Sequence, residues 1–392
     1  QRLEDLPLLS LAAIHGVCLG GGIELALACT RRIASDAEET RLGFPEVLLG
    51  ILPAWGGTTR LPRLIGLREA SRMILSGKRY SAREALAVGL LDEVLPAQGF
   101  KALALEYARG MVTGPFSTEA RPHRIPSLLD RSPFGRRIVL GIARRNVMSR
   151  THGHYPGPEK VLDVLGTSWK LPLPEALAME ARAAGGLIAS PASKNLIHLF
   201  HLREDARKGR GISEEVLALP RYPRMNRPPD GREEGMVHRI LEPYLKEARI
   251  LRGEGFGKRR IEAVARGFGM ESGPFDLMKS RNPPGRLSRN PPGRQSDSEI
   301  RDRLILVMVT EAASILEEGG VSRAGQIDLA LIIGAGFPPF RGGLLRYVDH
   351  LGLPALVARL RDFAHRYGPR FGPAPLLLEL ARTGGTFYTR FP

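Results

Sequence analysis

Three consecutive glycines stand directly before an apolar helical run in the stretch GVCLGGGIELAL at residues 16–27, and they constrain the local fold more than any other feature. Glycine lacks a Cβ, so it serves where backbone turns sharply or approaches another group closely. Residues 23–29 are good helix formers, so Gly20, Gly21 and Gly22 predict the entry to a helix. A helix N-terminus exposes unpaired N–H groups carrying partial positive charge. That suits an anion, including one that forms only in a transition state. The one charge in the run, Glu24, falls in its first turn. Two readings of it stay open here: a carboxylate favoured by the helix dipole, or one with chemistry to perform. Upstream, residues 8–14 form a short apolar run that predicts a buried strand.

A second stretch favours chemistry. Residues 41–61, RLGFPEVLLGILPAWGGTTRL, carry another isolated acid, Glu46, between Pro45 and an apolar run. Gly56, Gly57, Thr58 and Thr59 then predict the start of the next helix. Two carboxylates in apolar, glycine-punctuated surroundings suit acid and base work on one shared water. If they lie close together they cannot both ionise easily, and one titrates nearer neutrality.

The segments AAIHGVCLGGGIELALAC, RIASD, TRLGFPEVLLGILPAWGGTTRLPRLIGL and ILSGKRYSAREALAVGLLDEVLP resemble the enoyl-CoA hydratase/isomerase (crotonase) family. The resemblance implies that the Gly21 N–H is one of two donors to a thioester oxygen as it becomes an enolate. It implies that Glu24 and Glu46 grip the water added across a double bond, one as general base and one as general acid. Retention of both acids favours hydration over pure isomerisation.

Further along, RIVLGIARRNVMSRTHGHYPGPEKVLDVL and LPLPEALAMEARAAGGLIASPASKNLIHLFHLRE resemble the extended hydratase half of the multifunctional fatty-acid oxidation alpha subunits. MVHRILEPYLKEA, GFGMESGPFDLM and the closing segments resemble the 3-hydroxyacyl-CoA dehydrogenase C-terminal portion of the same chains. The expected fold is therefore an incomplete α/β crotonase-like domain of spiral ββα type, followed by an all-α dehydrogenase-like domain. The expected boundaries are a partial catalytic core over 1–100 and a helical extension with linker helix over 101–208. A Pro/Gly/Arg-rich linker over 209–234 precedes a first helical part over 235–279. A Pro/Arg repeat over 280–295 reads as a flexible linker, and a second helical part runs over 296–392. In that last part, residues 299–321 predict an amphipathic helix with Leu304, Val307, Met308, Ala312 and Ile315 on one face.

The dehydrogenase half of such chains uses NAD, but the sequence contains no G-x-G-x-x-G. Gly334-Ala-Gly336 is followed by Phe-Pro-Pro, which cannot open a helix in the required way. The phrase HFFNP, which carries the family's catalytic histidine, is also missing. No bound cofactor is expected from this chain itself, and its substrate carries coenzyme A. His238 stands where the family has an asparagine, in a helix near the substrate. His152 and His154 form a His-x-His without acidic or cysteine company, so a loop reading outweighs a metal site.

The net charge of +16 invites a nucleic-acid story, yet the cations are dispersed and no nucleic-acid motif is present. Coenzyme A is an acidic ligand as well. Cys18 and Cys29 lie in apolar context, and buried thiols in a reducing, cytoplasmic compartment fit them better than a disulfide. No apolar run approaches the length of a membrane span. The chain opens on Gln1, and the resemblance begins mid-domain, so it reads as a fragment. Partners implied by the resemblance are an acyl-CoA thioester, a thiolase (beta) subunit and further copies in an oligomer. Two other readings remain: a remnant that associates without turnover, and a basic protein for anionic surfaces.

Overall fold

The computed structural model describes residues 2–113, 132–221, 229–278 and 295–392. Its contacts divide the chain into two compact units, residues 1–194 and 195–392. Most of the Pro/Arg repeat at 280–295 and part of the 209–234 linker lie outside the described residues.

The first unit begins with β1 (Leu11–Ile14), β2 (Val17–Leu19), α1 (Gly21–Leu27), β3 (Arg31–Ser35) and β4 (Arg41–Gly43). A 3₁₀ turn over Pro45–Leu49, α2 (Gly57–Ile65) and α3 (Leu67–Ser76) follow. Then come β5 (Tyr80–Ser81), α4 (Ala82–Ala87), β6 (Glu93–Leu95) and α5 (Phe100–Thr113). Strands β1, β3 and β6 form one parallel sheet, with Ala13 opposite Ile33 and Ile33 opposite Glu93. Strands β2 and β4 pair in parallel in a second sheet, with β5 antiparallel at its edge. The first two turns of chain each give one strand to each sheet before a helix crosses back, which is the spiral ββα pattern. The predicted strand over residues 8–14 keeps only its second half, Leu11–Ile14.

Burial accounts for the arrangement. Ile23, Ala26 and Leu27 of α1 pack with Leu42, Phe44, Leu61, Met73 and Ile74 in one core. Val161 and Leu165 of α7 (Pro156–Ser168) and Ala184 and Leu187 of α8 (Leu173–Ile188) join the same core. Helices α7 and α8 of the helical extension thus help form the first unit's core, and α6 (Pro133–Thr151) adds Val139 to it. His152 caps α6 in the left-handed region at φ 49°, and its N–H donates to the Met148 carbonyl.

The second unit is helical throughout its described residues. Helix α9 (Pro191–Arg207) leads into it, followed by α10 (Arg232–Gly253), α11 (Lys258–Phe268) and α12 (Pro274–Leu277). Next are α13 (Asp297–Glu317), α14 (Ala324–Ala335), α15 (Leu344–Leu351), α16 (Leu353–Tyr367), α17 (Pro375–Thr383) and α18 (Phe387–Arg390). The sequence predicts α13 as an amphipathic helix, but it is buried around most of its circumference. Ile305, Leu306, Val309 and Ala313 are buried along with the expected stripe. Arg303 sits on the same helix with no side-chain exposure and pairs with Glu247 and Glu254. Gly336 caps α14 at φ 65°, so Gly334-Ala-Gly336 ends a helix and does not open one.

Candidate active site

Gly20 caps α1 at φ 54°, a left-handed backbone that glycine adopts without strain. Gly21 is the first helical residue, so its N–H has no partner within the helix ladder. The glycines are also needed for space. A Cβ on Gly20 would stand 2.8 Å from Glu46 Oε1, and one on Gly57 would stand 2.9 Å from Glu24 Oε1.

Glu24 is 3% exposed. The N–H groups of Trp55 and Gly57 both donate to its Oε1, at 2.8 and 2.7 Å. Burial raises its pKa, while those two amides and the Arg60 guanidinium pull the other way. Glu46 lies in the first turn of the 3₁₀ segment, and Gly50 closes that turn at φ 74°. Its Oε2 is buried and finds no hydrogen-bond donor among the described residues. Burial pushes the Glu46 carboxyl up to about 7, with the charges of Glu24 and Glu180 adding to the effect. The structure therefore brings Gly21, Glu24 and Glu46 together around the turn at residues 53–58.

Glu180 is the residue that sequence reasoning missed. It comes from α8, has no exposed surface and accepts the Gly56 N–H at 2.5 Å through Oε1. Its other oxygen accepts from the Thr58 hydroxyl. Burial pushes its carboxyl up to about 7. A signal did exist: Ala176, Glu180, Ala184 and Leu187 share the buried face of α8, and a lone acid on such a stripe needs an internal partner.

The remaining candidates lie elsewhere. His238 is mostly buried on α10, with Nε2 3.7 Å from Glu234 Oε1 one turn earlier. Cys18 and Cys29 are free thiols and half-buried. Among the described residues no group of three His, Cys, Asp or Glu side chains is placed to hold a metal ion. A dinucleotide fold needs a βαβ unit whose glycine turn reads G-x-G-x-x-G at a helix N-terminus. The parallel β1–α1–β3 unit does place Gly20–Gly22 at such an end, but those glycines frame the site above and do not form that motif.

The family model for enoyl-CoA hydratase/isomerase matches residues 1–120. Beyond them, the chain is similar to a protein named fatty acid oxidation complex subunit alpha from Shewanella amazonensis. The two are 25% identical, over 99% of this chain and 87% of that one. The alignment spans 618 residues and is longer than the chain itself, so the relative carries internal residues that this chain lacks. A protein of the same name from Shewanella loihica is 39% identical over 54% of this chain and 30% of its own length. An enoyl-CoA hydratase from Mycobacterium avium subsp. paratuberculosis is 22% identical, over 51% of this chain and 65% of that one. Its TM-score against this chain is 0.36. The chain thus spans less than two thirds of two of these three relatives. Within the enoyl-CoA hydratase/isomerase region lie Gly21, Glu24 and Glu46, whereas Glu180 falls outside it.

Proposed function

We propose that the chain hydrates trans-2-enoyl-CoA thioesters to 3-hydroxyacyl-CoA, as a step of fatty-acid β-oxidation. The observation that carries this reading is the pair Glu24 and Glu46, with the charge of Glu24 opposing ionisation of Glu46. Glu24 keeps two backbone N–H donors on one oxygen, which favours its ionised form and suits a general base. Glu46 titrates near neutrality and suits the general acid. In the forward reaction Glu24 takes a proton from water as its oxygen bonds to the β-carbon. Glu46 gives a proton to the α-carbon, so one water is added overall. The Gly21 N–H supports the negative charge that develops on the thioester oxygen.

The second unit is read as the all-α C-terminal portion of the dehydrogenase half. With no G-x-G-x-x-G in the sequence and no strand described beyond residue 95, this chain is expected not to oxidise 3-hydroxyacyl-CoA with NAD. Proposed partners are the acyl-CoA substrate, a thiolase-type subunit and further copies of the chain, in a cytoplasmic setting. No described helix is long and apolar enough to cross a membrane.

The decisive experiment follows loss of crotonyl-CoA absorbance in the wild type, Glu24→Gln and Glu46→Gln. Each substitution is expected to lower turnover by about 10²-fold or more without unfolding the chain. Wild-type turnover in either variant would sink the assignment. A wild-type chain without hydration would favour the remnant that only associates. The same preparation, given 3-hydroxybutyryl-CoA and NAD, is expected to form no NADH.

A further inference from the structure

We propose that Glu180 is a positioning residue that holds Glu24 in place by clamping the turn at residues 55–58 from its far side. This rests on the hydratase reading of Glu24.

Three successive amides of that turn point in two directions. The N–H groups of Trp55 and Gly57 donate to Glu24 Oε1 at 2.8 and 2.7 Å. The Gly56 N–H between them donates the opposite way, to Glu180 Oε1 at 2.5 Å. The Thr58 hydroxyl completes the clamp on the second Glu180 oxygen. Gly56 makes the reversal possible with φ at 114°, where a side chain would also collide with Arg60, its Cβ standing 1.7 Å from Nη1. The turn runs straight into α2, and the Gly56 carbonyl already accepts the Arg60 N–H at 2.6 Å. The N–H groups of Trp55, Gly56 and Gly57 lie ahead of the helix ladder, and the two carboxylates accept them. Glu180 is fully buried, and its oxygens have exchanged water for these donors. Remove it and the Gly56 amide loses its acceptor, while the Thr58 hydroxyl keeps only the Pro53 carbonyl at 3.5 Å. The turn then relaxes, and the amides that orient Glu24 move with it. The charged groups around Glu180 are Glu24 on α1, Glu46 on the 3₁₀ turn and Arg60 on α2.

The test uses the full 392-residue chain, comparing wild type, Glu180→Gln and Glu180→Ala. A misplacement of about 1 Å can cost about a hundredfold in rate, so Glu180→Ala is expected to lower kcat for crotonyl-CoA on that scale. KM should change little. Glutamine can still accept from the Gly56 N–H and should recover most of the loss. A carboxyl-carbon NMR titration of Glu24 provides a second readout. Both replacements remove the charge, so a difference between them reports the clamp alone. Glu24 should titrate higher in the alanine variant, having lost its amide donors. If the alanine chain does not fold, Thr58→Val replaces it, with a smaller fall in kcat and a raised Glu24 titration against wild type. Unchanged kcat in Glu180→Ala, or a loss that glutamine does not recover with Glu24 titrating alike in both, would overturn the proposal. If the wild type shows no hydration, the hydratase reading fails separately. The Glu24 titration then decides the clamp by itself.

Discussion

Gly21 and Trp55 lie against each other: a Cβ on Gly21 would stand 2.8 Å from Cζ3 and 2.9 Å from Cε3 of the indole. Trp55 is 75% exposed, so its ring can swing away. Gly21→Ala is therefore expected to alter stability by no more than about 1 kcal/mol, helped by the better helix propensity of alanine. The displaced indole crowds the approach to the Gly21 N–H, so hydration should fall about tenfold. Combining it with Trp55→Ala should restore part of that loss. Thermal melts paired with crotonyl-CoA rates check both halves. A large loss of stability with an unchanged rate would contradict the assignment.

The hydration rate should depend on pH through the Glu24 and Glu46 pair. Glu46 holds its proton to about pH 7, and in the proposed reaction it is the acid. Rising pH through that value removes the proton, so kcat should fall on the alkaline side. A kcat profile that instead rises through the same range would exchange the roles of the two acids.

The same groups act on stability, and in the opposite sense to an ordinary salt-bridged carboxylate. Glu46 and Glu180 have ordinary values of 4.5 and folded values of about 7, so the folded chain holds more protons than the unfolded one between those limits. Stability of the first unit should drop as pH rises across that window and level off above it. Glu180→Gln removes one titrating group and should make the drop shallower between about pH 5.5 and about pH 8. Melting curves at the two pH values, wild type against variant, give the comparison. Equal slopes would mean that Glu180 is charged at neutral pH in the fold.

In the second unit, Arg303 has no exposed side-chain surface and holds Glu247, itself 1% exposed, together with Glu254. Arg303→Met leaves a buried carboxylate short of its partner and should cost about 3 kcal/mol. The cost sits at the low end for a broken buried pair because Arg370 also donates to Glu247, at 2.6 Å. Denaturant unfolding of the second unit measures it. A loss below about 1 kcal/mol would show that Arg370 alone suffices.

The candidate pair was legible because its setting is written locally. Glu24 and Glu46 are single acids in apolar runs, and their glycines announce close approach. The spiral pattern was legible only through the family resemblance, since strands of three or four residues such as β2 and β4 carry little periodic signal. Helix α13 was predicted in place but given a solvent face, because a stripe every third or fourth residue says nothing about neighbours that bury the other side. Glu180 drew no reading from the sequence, although its place on the apolar stripe of α8 marks it as a lone internal acid. Its partners are 122 and 124 residues away, and no local pattern encodes a bond of that span.

That separation has a consequence for how the chain can be inherited. A truncation after residue 120 would retain every position that matches the hydratase family, including Gly21, Glu24 and Glu46. It would still delete the acceptor for Gly56 and Thr58, along with Val161, Leu165, Ala184 and Leu187 from the first unit's core. Recombination that swaps in a relative's first 120 residues faces the same demand in reverse. The newcomer must present a turn that Glu180 can grip, so the smallest segment exchangeable without repair ends beyond α8.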